Sequence, residues 1–152
     1  LTPCHWSFEA LVSPLKEGGY GLKIKWHQHS VDTFLGLPFN IIYYSGLCYL
    51  LAELCGMKPL GVIGDLSNVH LYDNALEQAK TQVKRRGYSS PTFSFSKDAK
   101  ILFAKYKGEG IKDYGYYEDF DNVLSGLNVS DFIIDDYKYN KALNVEMLTY
   151  KK

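Results

Sequence analysis

Gln28-His29-Ser30-Val31-Asp32-Thr33-Phe34-Leu35-Gly36-Leu37-Pro38-Phe39-Asn40 is the stretch on which the reading of this chain turns, because it joins a strand to a helix. Leading into it, residues 22–30 alternate in character. Leu22, Ile24, Trp26, Gln28 and Ser30 share one face; Lys23, Lys25, His27 and His29 share the other, the period of two expected of a strand. Beyond it, an apolar run continues to Leu54 with almost no polarity. Pro38 suits a first helical turn, and Gly56 suits the left-handed residue just past a helix end. The spacing therefore predicts a buried central helix.

Working outward, residues 6–12 read as a strand, and the glycine-rich Lys16-Glu17-Gly18-Gly19-Tyr20-Gly21 as the loop that folds it back on residues 22–30. A short apolar strand is expected at 60–63. Residues 72–86 read as a surface helix, capped by Asp73 or Asn74 and ended by Gly87. Strands follow at 92–96 and 101–106, a short helix at 120–127 and a strand at 129–137. No repeat or low-complexity segment is visible. The class is mixed α+β without a regular βαβ rhythm.

Bulk properties set limits on function. At 152 residues the chain amounts to one domain. A net charge of +0 offers no electrostatic case for nucleic acid or an anionic membrane. No stretch approaches the ~20 apolar residues of a membrane span, and the N-terminus lacks the pattern of a signal peptide. Leu1 also stands where an initiator methionine would, so a processed, trimmed or internal piece is open. Three cysteines without paired spacing, Cys4, Cys48 and Cys55, fit a reducing, cytoplasmic setting better than a disulfide framework. Cys48 and Cys55 read as small buried hydrophobes within the helical run. Zinc held by Cys4, His5, His27 and His29 has no ligand spacing behind it, so no metal is expected.

Several motifs in order carry more than the pattern does. Pro3-Cys4-His5, then the opening stretch, then Ala52-Glu53-Leu54-Cys55-Gly56 and His70-Leu71-Tyr72-Asp73-Asn74, resemble segments of the thymidylate synthase family. The opening stretch is similar to that family's Q-R-S-x-D-x-F-L-G-L-P-F-N at nearly every defined position. Val145-Glu146-Met147 loosely resembles the terminal segment of some members. The resemblance implies the family's mixed sheet packed on a buried helix, with residues 1–152 forming the C-terminal portion. It implies transfer of a one-carbon unit from 5,10-methylenetetrahydrofolate to C5 of dUMP through a covalent adduct on C6, and a homodimer built across the sheet.

The chemistry explains the residue types. C5 of uracil is a poor nucleophile until something adds at C6, and a thiolate both adds well and leaves well. By resemblance Cys4 is that nucleophile. The enolate formed must be stabilised at O4 and N3; a carboxamide offers donor and acceptor together, which the resemblance assigns to Asn40. It likewise assigns His70 and Tyr72 to the ribose 3′-hydroxyl, Gln28, His29 and Ser30 to the nucleotide and its phosphate, and Asp32 to the boundary with the folate site. Taken alone, each has a plainer reading: Asn40 as a helix cap, His70 and Tyr72 as a strand-to-helix junction. Glu118-Asp119 and Asp135-Asp136 read as solvated surface, Tyr114-Gly115-Tyr116-Tyr117 as a loop packed on the body, and Lys84-Arg85-Arg86 as a favourable helix end.

Departures matter too. His29 stands where the family has a phosphate-binding arginine, and Arg85 and Arg86 are the only arginines in the chain, although planar phosphate recognition is largely an arginine task. Asn68 and Ala75 also depart from the pattern. The family's upstream tryptophan, glutamate and tyrosine of the active site have no counterpart here. Three readings follow: a synthase portion completed by a missing N-terminal half or companion chain, a phage-type deoxyuridylate hydroxymethylase in which water captures the methylene, and an inactive nucleotide-binding fragment.

Overall fold

The computed structural model describes residues 4–107 and 122–148. The tyrosine-rich 114–117 and the acidic pair 118–119 lie outside them. The chain runs β1 (His5–Pro14), β2 (Tyr20–Gln28), β3 (Val31–Asp32), α1 (Gly36–Leu54), β4 (Lys58–Leu66), β5 (Val69–His70), α2 (Leu76–Val83), β6 (Thr92–Phe95), α3 (Lys97–Lys107) and β7 (Phe132–Asp135), with single 3-10 turns at Asp73–Ala75 and Val129–Asp131. This is the mixed helix and strand architecture expected.

Strand β2 is the centre of the three-stranded sheet, antiparallel to β1 and parallel to β4. Joining parallel β2 and β4 requires a crossover, and α1 supplies it. The alternation of β2 fixes which face α1 covers. Leu22, Ile24 and Trp26 are buried against Tyr44, Cys48 and Ala52 of α1, residues spaced four apart on one side of the helix. Burying each large side chain contributes roughly 1.5–3 kcal/mol. Cys48 points its thiol at the carbonyls of Leu22 and Gly61, 3.5 Å from each. Cys55, expected to be buried, is exposed, because the helix ends there. Gly56 takes φ +63°, its N–H bonds the carbonyl of Glu53 and that of Met57 the carbonyl of Ala52, a Schellman stop.

A second core lies on the other side of α1, where Leu50 meets Phe95 of β6, Ala99 and Phe103 of α3, and Val123. Residues 101–106, expected as a strand, belong to α3. A strand would bury Ile101 with Phe103, but Ile101 is 61% exposed while Ala99 and Phe103 are buried, the spacing of a helix. Ser96 starts it, its Oγ accepting the N–H of Ala99 and donating to Asp131 at 2.5 Å. β6 pairs with β7, which starts at Phe132 because the preceding residues form a 3-10 turn closed by Asn128 and Asp131.

The helix expected over 72–86 is shorter. It holds to Leu76–Val83 behind a 3-10 turn, and neither start has a side-chain cap. Asn74 instead donates to the carbonyl of Glu146 at 2.8 Å, and Gln78 to that of Asn144 at 3.2 Å. These two bonds lay the extended C-terminal segment along α2.

α1 is also less buried than its sequence implies. Phe39, Ile42 and Tyr43 are exposed and, with Gly46, follow the i, i+3, i+4, i+7 spacing of one helix face. A helix apolar all round belongs inside a protein, yet this face is open among the described residues.

Candidate active site

The end of β2 gathers the candidate residues. Gln28 is 5% exposed and fully engaged. Its Oε1 accepts from the indole N–H of Trp26 at 3.2 Å; its Nε2 donates to the carbonyl of Ser30 at 2.9 Å and to Oδ1 of Asn40 at 3.1 Å. Asn40 lies within α1, not at its cap, and its amide is steered from β2. The indole of Trp26 stacks on Tyr44 with centroids 4.9 Å apart and planes 11° apart. The Tyr44 hydroxyl lies 3.1 Å from Nδ1 of His5. Burial, and then the neighbouring Tyr43 phenol, holds that hydroxyl above the usual tyrosine range, so it keeps its proton and can donate.

Cys4 is exposed where β1 begins, and its carbonyl accepts the N–H of His29 at 3.0 Å. Consecutive residues at the end of β2 therefore fix both ends of the site: Gln28, the last residue of the strand, holds Asn40, and His29, the next residue, holds Cys4.

Asp32 has a different task. Its Oδ1 accepts the N–H groups of Phe34 at 2.9 Å and Leu35 at 3.2 Å, so it closes the turn that enters α1, a helix whose own N-cap, Leu35, has no capping side chain. Beside it, β3 pairs with β5 as Val31 to Val69 and Asp32 to His70, and both Thr33 N–H and Oγ1–H donate to the His70 carbonyl. His70 Nδ1 lies 2.8 Å from the carbonyl of Asn68. A carbonyl only accepts, so Nδ1 donates this bond, and in the neutral ring Nε2 is then the acceptor. Its ring meets that of Tyr72 edge-on, centroids 5.0 Å apart. Asn68 holds φ 45°, a left-handed conformation asparagine tolerates, which turns the chain between β4 and β5.

Gln28, Ser30 and Asn40 are thus joined by direct bonds, Cys4 and His29 by another, and Asp32, His70 and Tyr72 by the short β3–β5 pairing and the ring contact. His29 is exposed. Arg85 lies beyond the end of α2, where it donates to Gln82 at 3.1 Å, and shares none of these bonds. On the outer face of the sheet, His27 sits 2.7 Å from Glu9 and 3.1 Å from Asp65, with Lys25 within 4 Å of both. His5 and His27 are therefore committed elsewhere, and no group of three or more His, Cys, Asp or Glu among the described residues is arranged to hold a metal. The sequence reading gave Trp26 and Tyr44 no place among the candidates, and named His5 only within the Pro3-Cys4-His5 motif and as a rejected zinc ligand. Only the position of Trp26 two residues before Gln28 on one strand face could have signalled the first.

No described helix is long and apolar enough to cross a membrane. A family model described as thymidylate synthase matches residues 1–149. A protein of Escherichia phage T5 named "Probable thymidylate synthase" is 47% identical over 92 residues, which are 60% of this chain and 32% of that protein. The crystal structure of thymidylate synthase from T4 phage superposes with a TM-score of 0.76 at 29% identity, covering 97% of this chain and 46% of its own. Thermostable thymidylate synthase A from Bacillus subtilis shares the fold, with a TM-score of 0.71 at 22% identity over 97% of this chain and 43% of its own. The chain therefore spans less than half the length of each of these.

Proposed function

Because this chain belongs to the thymidylate synthase family, a family of methyltransferases, we propose that it forms the nucleotide-binding part of a site that transfers a one-carbon unit to C5 of dUMP. The observation that carries this reading is the buried Gln28 amide, which holds Asn40 by its Oδ1 and so leaves the Nδ2 of that asparagine to face a ligand. In this reading Nδ2 donates to O4 of uracil and the second lone pair of Oδ1 accepts from N3–H. The Cys4 thiolate adds to C6, the C5–C6 π electrons move towards O4, and Asn40 stabilises the enolate oxygen that forms. Once C5 carries the one-carbon unit and has given up its proton to base, the electron pair on C5 re-forms the C5–C6 double bond, the C6–S bond breaks and the thiolate leaves with its electron pair. Nε2 of His70 accepts from the ribose 3′-hydroxyl and the Tyr72 hydroxyl donates to it, while His29 and Ser30 take the phosphate.

5,10-Methylenetetrahydrofolate supplies, when bound, the one-carbon unit and the hydride of methylation. The donor set fits this group in part. Asp32 retains Oδ2 for a ring N–H, its Oδ1 being committed to the turn, and the described residues are assigned no aromatic platform for it. That platform, in this reading, arrives with a companion segment equivalent to the half of the T4 phage enzyme that this chain does not span. It would also cover Phe39, Ile42 and Tyr43. Homodimerisation is assigned to the outer face of the sheet, around Trp6, Leu11 and Ile63.

Calorimetric titration of dUMP into the chain and into Asn40→Asp and Cys4→Ser tests the reading. Binding that Asn40→Asp loses and Cys4→Ser keeps is expected. Equal affinity for dUMP in the Asn40→Asp variant would refute the assignment of Asn40.

A further inference from the structure

An asparagine amide is two-faced. With Nδ2 beside O4 and Oδ1 beside N3–H it reads uracil; rotated half a turn, it presents an acceptor to the cytosine amino group and a donor to cytosine N3. A freely rotating Asn40 would therefore serve either base, and discrimination requires that something fix its direction. Gln28 does so, but a glutamine is as two-faced as an asparagine. What breaks the symmetry must be a group that can only donate or only accept.

The site contains one of each. The indole N–H of Trp26 is a donor with no acceptor capacity, and it meets Gln28 Oε1. The Ser30 carbonyl is an acceptor with no donor capacity, and it meets Gln28 Nε2. Both demand the same orientation of Gln28, and that orientation leaves only an N–H to face Asn40. The Asn40 atom 3.1 Å away must then be its oxygen. The indole has no freedom to give way, because it is buried, stacked on Tyr44 and covered on its edge by Gly64. Direction thus passes from Trp26 and the Ser30 carbonyl through Gln28 to Asn40.

We propose that Trp26 is a specificity-determining residue of the nucleotide site: its indole N–H, acting with the Ser30 carbonyl, sets which way the Asn40 amide faces and thereby selects uracil over cytosine. This rests on the reading of Asn40 given above. Trp26 touches no substrate and acts as a positioning residue.

Trp26→Phe keeps an aromatic ring beside Tyr44 but removes the indole N–H together with the outer part of the benzo ring that lies against Gly64. Two measurements test it. By NMR on the nucleotide-free chain, the side-chain amides of Gln28 and Asn40 each give a single pair of resonances in the native protein. In Trp26→Phe both pairs broaden or double as the amides sample two orientations. An Asn40 pair unchanged by the substitution overturns the proposal. By calorimetry, the preference for dUMP over dCMP falls about tenfold in the variant, the loss expected for one hydrogen bond. Both nucleotides weakening by the same factor would mean a merely structural role and overturn it. Failure of the native chain to bind either nucleotide sinks the pyrimidine-site reading itself, and the amide spectra then decide whether Trp26 directs Asn40.

Discussion

Gly64→Ala should destabilise this protein more than Gly21→Ala, although the second substitution makes the closer contact. A Cβ on Gly64 would lie 2.6 Å from Cζ2 and 2.7 Å from Cη2 of Trp26, and one on Gly21 2.4 Å from Cδ1 and 2.7 Å from Cγ of Leu60; ordinary contact begins at 3.4 Å. Distance alone ranks Gly21 worse. What can move decides otherwise. Leu60 is 37% exposed and can swing its branch to solvent by a rotamer change. The indole is rigid and buried, with Tyr44 stacked on its face and Gln28 bonded to its nitrogen. Relief at Gly64 must come from displacement of β4 or of the whole Trp26–Tyr44 stack. Overpacking of this kind costs about 1–3 kcal/mol, which at this chain length corresponds to about 2–4 °C of Tm per kcal/mol. The Gly21 variant should lose under about 1 kcal/mol. Urea unfolding followed by circular dichroism measures both, provided the slope is unchanged. A Gly21 variant as unstable as the Gly64 variant would refute the reasoning, since rigidity of the neighbour would then not be what matters.

Asp32→Ala should cost about 1 kcal/mol by orphaning the Phe34 and Leu35 N–H groups, whereas Asp32→Asn, which keeps an acceptor oxygen, should cost a few tenths; thermal melts in which the two variants fall equally would mean the turn does not depend on that oxygen. The Ser96 hydroxyl first, and the Asn128 N–H second, hold the Asp131 carboxyl below the usual carboxylate range. A carboxyl that is more acidic when folded stabilises the fold above its unfolded pKa of about 3.9, and that contribution is lost as pH falls through the folded value. The urea midpoint of the native chain should therefore drop more steeply below pH ~4 than that of Asp131→Asn; parallel profiles would show that the Ser96 bond does not favour the ionised form.

Much of the fold was legible in the sequence because the decisive elements announce themselves locally. The alternation of residues 22–30 has one amphipathic solution, and the run through Pro38 to Gly56 carries its own start and stop. The ordered motifs also made the family readable, since they follow one another along the chain as the family's do. Residues 101–106 misled because Ile101 and Phe103 suit a strand as well as a helix. Only contact with Leu50 and Val123 shows which period is buried. Asp73 and Asn74 looked like caps, and Asn74 instead bonds Glu146, a partner no local rule can find.

The sequence by itself determined that β2 and α1 form and that Leu22, Ile24 and Trp26 share one face of the strand, and its resemblance to the family singled out Cys4 and Asn40. Tertiary structure alone decided how those groups are held. The direction of an amide depends on which donor or acceptor faces it, and Trp26, Gln28 and Asn40 meet only when α1 crosses the sheet. The open face of α1 is equally a tertiary fact: its apolar residues are written in the sequence, but which of them remain uncovered depends on what else packs against the helix.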